Sequence, residues 1–166
     1  MCLILKQILC GKGGDDMFDV KAKTSPKELD CGATCLQMLL DFYCIDVGLA
    51  ELTSDCRTTL AGCTGTDLKR AGEAHGLQIK AYKMDAEEVL KMDRPSIIHW
   101  KHNHWCICCG TTESGDVVIC NPDRGRYPIK RNTFDCYYTG VALFNGEPIE
   151  MEAQPTQADR IKTLEE

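Results

Sequence analysis

The fold is decided by one stretch, residues 29–40, which reads LDCGATCLQMLL. Apolar residues recur along it at helical spacing, which predicts a helix with a broad buried side that runs to about Cys44. Asp30 is a good N-cap residue, because its carboxylate can accept hydrogen bonds from the free amides of a first turn. Cys31 is therefore expected in that first turn.

A cysteine at the start of a helix has two interpretations. Unpaired amides and the helix dipole favour negative charge there, and the thiolate is the nucleophilic form of cysteine. Alternatively, Cys31 is one more small core residue in a chain with 12 cysteines. Cys35 follows one turn later, and we assign it to packing, because redox motifs at helix starts separate their cysteines by two residues rather than three.

Length and charge exclude several classes of protein. A chain of 166 residues is expected to form one domain with its own core. Its 25 acidic and 19 basic residues form no basic patch with interleaved aromatic residues, so nucleic-acid binding is disfavoured. No apolar run is long enough to span a membrane, and no signal peptidase site follows the N-terminal apolar residues. We expect a cytoplasmic protein with mostly reduced cysteines, in which disulfides are not required.

The chain divides into three parts. Residues 1–16 are an apolar and then Gly-rich appendage, residues 17–146 form the domain, and residues 147–166 are a polar tail. The glycines at 11–14 are too loosely arranged for a phosphate-binding loop. Within the domain, helices come first and strands follow, which predicts an α+β fold with the N-terminal helices packed on one face of an antiparallel sheet. The predicted helices cover 31–44, 47–52, 68–75 and 85–91, with a helix or turn at 133–138; the predicted strands cover 18–23, 77–83, 96–100, 104–109, 116–120 and 139–144.

A cysteine nucleophile needs a base, and the base needs a third group to orient it. Among four histidines, His104 is the best candidate, because it opens an apolar strand. Asn121 closes the next strand and would lie beside His104 if the two strands pair. An asparagine amide can hold the imidazole in one tautomer, as in cysteine-protease triads. His75 is expected to be a solvated residue at the end of a helix.

Metal binding is the main rival interpretation. The alternate residues His102, His104, Cys106 and Cys108 share one strand face but advance along it, so four of them could not close on one zinc ion. Small residues that fill a sheet core are the simpler explanation. We therefore expect neither a metal nor a cofactor.

Three motifs resemble those of one family, the double-glycine leader peptidases, which are papain-like domains at the N-terminus of bacteriocin-exporting ABC transporters. DCGATCLQML, from Asp30, resembles the nucleophile motif, and HWCIC, from His104, resembles the histidine strand. ICNPDRG, from Ile119, resembles the third-residue motif, and residues 133–134 and 138–140 match the segment that follows. The similarity covers about residues 18–145.

The resemblance implies a papain-like α+β fold and a thiol peptidase. The family domain is normally fused to a transporter, so we expect this chain to be either a free-standing processing enzyme or one domain taken from a longer protein. Its substrate would be a ribosomally made precursor peptide, cut after a Gly-Gly or Gly-Ala pair. The leader would bind as an amphipathic helix in an apolar groove. An export transporter is a further expected partner. Cys31, His104 and Asn121 would be the catalytic residues.

Two residues depart from the family pattern. The family has aspartate where this chain has Asn121, and an amide adds no charge to stabilise an imidazolium. The family also has an oxyanion-binding glutamine six residues before the nucleophile, where this chain has Ser25. Loss of one oxyanion donor costs roughly two to three orders of magnitude in turnover. The backbone amide of Cys31 remains as another donor.

Two further functions stay open on the sequence. A leader-binding module without catalysis would recruit the precursor peptide to other machinery. Another acyl transfer, such as deamidation or transpeptidation, would use the same thioester and differ only in the acceptor.

Overall fold

The computed structural model describes residues 16–25 and 27–146, so most of the predicted appendage and the predicted tail lie outside the described residues. One 3₁₀ turn, Glu28–Asp30, leads into the first helix. The helices are α1 (Cys31–Phe42), α2 (Leu49–Asp55), α3 (Gly65–Ala74), α4 (Ala86–Leu90) and α5 (Arg131–Tyr137). The strands are β1 (Asp16–Met17), β2 (Ile79–Lys83), β3 (Ser96–Trp100), β4 (His104–Thr111), β5 (Val117–Asn121), β6 (Gly125–Ile129) and β7 (Tyr138–Asn145).

The sheet is antiparallel throughout the described residues, in the order β2-β7-β3-β4-β5-β6. The short β1 adds to β4 at Thr111 and Gly110. In the β4–β5 ladder, Ile107 lies opposite Cys120. This register brings the start of β4 next to the end of β5, where the sequence analysis placed two of its candidate residues.

Helix α1 is the centre of the main core. Most of its apolar side chains are buried, and Leu36, Met38 and Leu39 are fully so. They form one cluster with residues of α2, α3 and one face of the sheet, among them Leu52, Leu68 and Ile107. Burial of a helix on nearly all sides stabilises its position far more than intrinsic helix propensity does.

A second cluster covers the opposite face of the sheet. It contains Val89 of α4 and Phe134 of α5, with Ile98 and Ile119 from the strands between them. The central strands are therefore buried on both faces, and β5 is buried along its whole length. The predicted α+β fold, with N-terminal helices packed against an antiparallel sheet, is confirmed, and the structure adds this second layer of helices.

Two parts of the predicted secondary structure are wrong. Residues 18–23 do not form a strand, because the Arg126 guanidinium takes the carbonyl groups of Phe18 and Val20. Strand β6 was not predicted, since Pro128 lies in its middle. Proline is tolerated there because β6 is the edge strand of the sheet.

The cysteines of the described residues are all free thiols. Most are buried, and Cys109 Sγ lies 3.5 Å from Cys120 Sγ between neighbouring strands. They fill the core as small side chains, as the sequence analysis expected. Among the helices of the described chain, none has the length and apolar character that crossing a membrane requires.

Candidate active site

Cys31 is the first residue of α1 and is only 6% exposed. Its amide donates to the Glu28 carbonyl, so the 3₁₀ turn continues directly into the helix. The prediction that the Asp30 carboxylate caps α1 is wrong, because that side chain makes no cap hydrogen bond. Asp30 has φ −90° and ψ 8°, whereas a capping side chain reaches the first amides from an extended backbone.

The start of α1 packs closely against β4 and the loop before α3. A Cβ atom on Gly32 would collide with Cys63 Sγ and would lie 3.2 Å from Trp105 Cδ1. The Trp105 indole donates to the Cys63 carbonyl at 3.2 Å. Glycine at position 32 therefore allows the approach that brings Cys31 beside the first residue of β4, which is His104.

The His104 ring bonds to the side chain at the end of β5. Its Nε2 lies 2.9 Å from Asn121 Oδ1. An amide oxygen only accepts, so Nε2 carries the proton. In the neutral ring this leaves Nδ1 as the nitrogen that can take a proton from a thiol.

Three partners fix the amide of Asn121, which is 8% exposed. Its Oδ1 accepts from the His104 ring and also from the Asp123 amide, at 2.9 Å. Its Nδ2 donates to the Tyr127 hydroxyl at 3.1 Å. The amide therefore cannot rotate without losing hydrogen bonds, so the orientation of the imidazole is also fixed.

The Cys31 thiol and the Asn121 amide both act on the protonation of the His104 ring. Burial of the ring lowers the pKa of His104, but hydrogen bonds to Cys31 and Asn121 outweigh it, helped by the negative charges of Cys31 and Asp123. The net effect raises the pKa of His104 to about 9. With this pKa the His104 ring is mostly an imidazolium at neutral pH, and a neighbouring positive charge favours the nucleophilic form of a thiol.

The sequence analysis missed two residues of this site. Asp123 Oδ2 lies 3.6 Å from His104 Nε2, and Tyr127 supports Asn121 from β6. The pairing of Ile107 with Cys120, continued by three residues, places residue 123 opposite His104. A β-bulge between Cys108 and Thr111 sets this register, so counting from the hairpin turn alone would have placed residue 124 opposite His104 instead.

The backbone of Ser25 is hydrogen-bonded to the turn that follows Asn121. Its amide donates to the Pro122 carbonyl at 3.0 Å, which ties the loop before Cys31 to the turn after Asn121. Its hydroxyl bonds to the backbone of Lys27. The oxyanion role of Ser25 therefore stays a prediction, with its hydroxyl already engaged elsewhere.

Two of the other histidines have contacts away from this site. His99 bonds to Thr139 Oγ1 at 2.9 Å. His75, predicted to be solvated, has a side chain only 15% exposed and bonds to Asp55 Oδ2 at 2.7 Å. The prediction is wrong because α2 ends beside the end of α3 and supplies this carboxylate.

The metal interpretation rested on His102, His104, Cys106 and Cys108. These residues are not among the groups of the described chain whose ligand atoms could hold one ion. Within residues 16–25 and 27–146, the group whose ligand atoms lie close enough together for one ion is Glu51, Asp55 and His75. None of these belongs to the set predicted around β4. The His75–Asp55 hydrogen bond accounts for two of the three side chains without an ion.

Residues 20–148 match the sequence profile of the Peptidase C39 family. A lactococcin transport/processing ATP-binding protein, LcnC-like, from Lactococcus lactis is 30% identical over 125 residues, which are 70% of this chain and 17% of that protein. The colicin V secretion/processing protein CvaB from Escherichia coli is 26% identical over 114 residues, 69% of this chain and 16% of that protein. The chain thus spans about a sixth of the length of these relatives.

Two solved structures are similar over most of this chain. One is a double glycine motif protease from an AMS/PCAT transporter, in complex with the leader peptide. It has a TM-score of 0.74 and 29% identity, covering 77% of this chain and 91% of that one. The peptidase domain of Streptococcus ComA has a TM-score of 0.70 at 21% identity, covering 75% and 96%, and supports the fold alone. With the profile match over most of its domain, this chain belongs to the Peptidase C39 family.

Proposed function

We propose that this protein is a cysteine peptidase that removes the leader from a ribosomally made precursor peptide, after a double-glycine type site. The observation that carries the proposal is the hydrogen bond between the His104 ring and Asn121, at the place where the start of α1, with Cys31, packs against the start of β4. Membership of the Peptidase C39 family supports the same reaction.

The reaction uses three groups in turn. The Cys31 thiolate attacks the carbonyl carbon of the scissile bond, and His104 gives its proton to the departing amine. A thioester between Cys31 and the leader remains. His104, now neutral, takes a proton from water, which attacks the thioester and releases the leader. Asn121 keeps the ring in the tautomer that both steps need.

The oxyanion of the tetrahedral intermediate needs hydrogen-bond donors. The amide of Cys31 is the nearest backbone candidate, and it donates to the Glu28 carbonyl in the free protein. That bond closes a 3₁₀ turn, whose hydrogen-bond geometry is poor. We propose that, when substrate binds, the Cys31 amide shares its hydrogen bond between the Glu28 carbonyl and the oxyanion.

The substrate would be recognised through its leader. A leader peptide is bound in the structure of the double glycine motif protease that this chain resembles. We propose that an amphipathic leader helix binds an apolar groove here as well. The transport/processing relatives suggest an export transporter as a further partner. Processing would then occur in the cytoplasm, where the precursor is made.

Mass spectrometry of a precursor peptide tests the proposal. The peptide should carry an amphipathic leader, a Gly-Gly pair and a short C-terminal segment. The wild-type protein is expected to cut it after the glycine pair, whereas Cys31→Ala and His104→Ala are expected to lose at least 10³-fold in kcat/KM. A second peptide, with the Gly-Gly pair changed to Val-Val, serves as the uncut control.

One observation favours a second function, a leader-binding module without catalysis. Both oxyanion donors named from the sequence, the Ser25 hydroxyl and the Cys31 amide, are engaged with backbone carbonyls. This alternative predicts that the wild-type protein and Cys31→Ala bind the precursor with equal affinity and that neither cuts it. Cleavage by the wild-type protein excludes it.

A further inference from the structure

A carboxylate lies beside the catalytic histidine, on the residue two positions after Asn121. Asp123 Oδ2 is 3.6 Å from the His104 Nε2 atom that bonds to Asn121. The amide of Asn121 orients this ring but carries no charge. The geometry points to Asp123 as a positioning residue, which supplies from the turn after β5 the negative charge that Asn121 lacks and holds His104 in the imidazolium form. This inference rests on the proposed function and deepens it.

The backbone fixes where Asp123 lies. Its amide donates to Asn121 Oδ1 at 2.9 Å, and the Arg124 amide donates to the Asn121 carbonyl at 3.0 Å. Gly125 then takes a φ of +87°, which lets the chain turn back into β6. These bonds involve the backbone of residue 123 and not its carboxylate. A substitution that keeps the side-chain shape should therefore leave the turn intact.

Few charged groups face the His104 ring in the described part of the chain. Helix α1 contributes Cys31, and the turn after β5 contributes Asp123. Asn121, from β5, carries no charge, and the Tyr127 hydroxyl lies behind it. Cys106 of β4 also interacts with the Asp123 charge, but burial raises its pKa and keeps the thiol protonated. Asp123 is thus the carboxylate that lies beside the ring.

The size of the effect follows from distance and exposure. At 3.6 Å an imidazolium and a carboxylate attract each other, but Asp123 is about half exposed, so water screens the pair. The expected change in the titration midpoint of His104 is therefore about 0.5 to 1 pH unit, rather than several. An effect of this size can be measured for a single residue.

Histidine titration by NMR tests the inference on the full chain. Carbon-13 labelled histidine gives one ring signal for each histidine, and His104→Gln identifies the signal of His104. Asp123→Asn is expected to lower the His104 midpoint by about 0.5 to 1 pH unit. The matched control is Asp116→Asn, which also removes one carboxylate, at the opposite end of β5 where it pairs with Lys130. It should leave the midpoint unchanged.

A rescue variant separates charge from structure. Asn121→Asp in the Asp123→Asn background moves the carboxylate to the third position of the triad, where the Tyr127 hydroxyl can donate to it instead of accepting. The midpoint should return to the wild-type value or exceed it. A purely structural role of Asp123 predicts no such return.

The outcomes are distinct. A His104 midpoint that stays within 0.2 pH unit in Asp123→Asn overturns the inference, as does a lowered midpoint that the rescue variant leaves low. The titration needs no substrate. If the wild-type protein fails to cut a double-glycine precursor while the midpoint still falls and is rescued, the proposed function fails and the charge role of Asp123 stands.

Discussion

Single side chains determine whether the sulfur and the imidazole face each other. The amide of Asn121 is central, because it bonds to the His104 ring, to the Asp123 amide and to the Tyr127 hydroxyl. Cys31, His104 and Asn121 could be proposed from the sequence because each lies where a predicted helix or strand begins or ends. Tyr127 could not, since it lies in a strand that the sequence analysis did not predict.

Removal of the Tyr127 hydroxyl tests whether its hydrogen bond with Asn121 is needed for catalysis. Tyr127→Phe leaves the Asn121 Nδ2 donor in a nearly buried place without its acceptor, which costs about 1–3 kcal/mol, shared between stability and ring orientation. We expect kcat to fall roughly three- to tenfold with KM unchanged. Steady-state kinetics on the precursor peptide measures this. Tyr137→Phe, which changes an exposed tyrosine of α5, should have no effect; a loss equal in both variants would contradict the account.

Ser25 tests the oxyanion assignment. Its hydroxyl bonds to the backbone of Lys27, so Ser25→Ala is expected to change kcat less than about threefold. A residue that donates to the oxyanion would instead cost roughly 10²- to 10³-fold when removed. A loss of that size would show that Ser25 changes partner when substrate binds, and would make it the oxyanion donor.

At the scale of elements, the position of α1 depends on its close approach to Trp105 and Cys63. The sequence predicted the helix well, because its apolar spacing is regular. Its first residue, Cys31, was also predicted, but the 3₁₀ turn at 28–30 replaces the expected carboxylate cap. Helix starts depend on the preceding backbone conformation, which apolar spacing does not report.

Gly32→Ala tests this close approach. The added methyl group would meet Cys63 Sγ and Trp105 Cδ1, so α1 must shift, and we expect a loss of about 1–3 kcal/mol in the free energy of unfolding. Urea denaturation measures it. Gly65→Ala is the matched helical control, because its nearest contacts are ordinary at 3.7 and 3.8 Å. Equal stability of the two variants would refute the close packing. Cys63→Ala should restore part of the loss in Gly32→Ala.

The described residues form a sheet between two sets of helices, and the candidate active site lies where α1 meets β4 and β5. The sequence predicted the first set, because α1 to α3 precede the strands. The helices that cover the second face of the sheet were harder to predict, since α4 and α5 have only five and seven residues. Strands buried on both faces have nearly continuous apolar runs, and β5 reads this way in VVICN.

Because both layers share one sheet, damage to the second layer should destabilise the entire domain. Phe134 of α5 is fully buried, so Phe134→Ala is expected to cost about 3–5 kcal/mol. Thermal unfolding should keep a single transition at a lower midpoint. Tyr137→Ala, which removes a partly exposed ring stacked on Trp100, should cost less. Two separate transitions in Phe134→Ala would show that the layers unfold independently.

The most direct measurement of the central claim is the rate at which iodoacetamide alkylates Cys31, followed by peptide mapping from pH 5 to 10. If the His104 imidazolium stabilises the Cys31 thiolate, the wild-type protein should be alkylated faster than His104→Gln at every pH below the His104 pKa of about 9. The difference should disappear above it, as the ring loses its proton. Identical profiles for the two proteins would show that the imidazole does not activate the thiol, and would contradict the proposed peptidase mechanism.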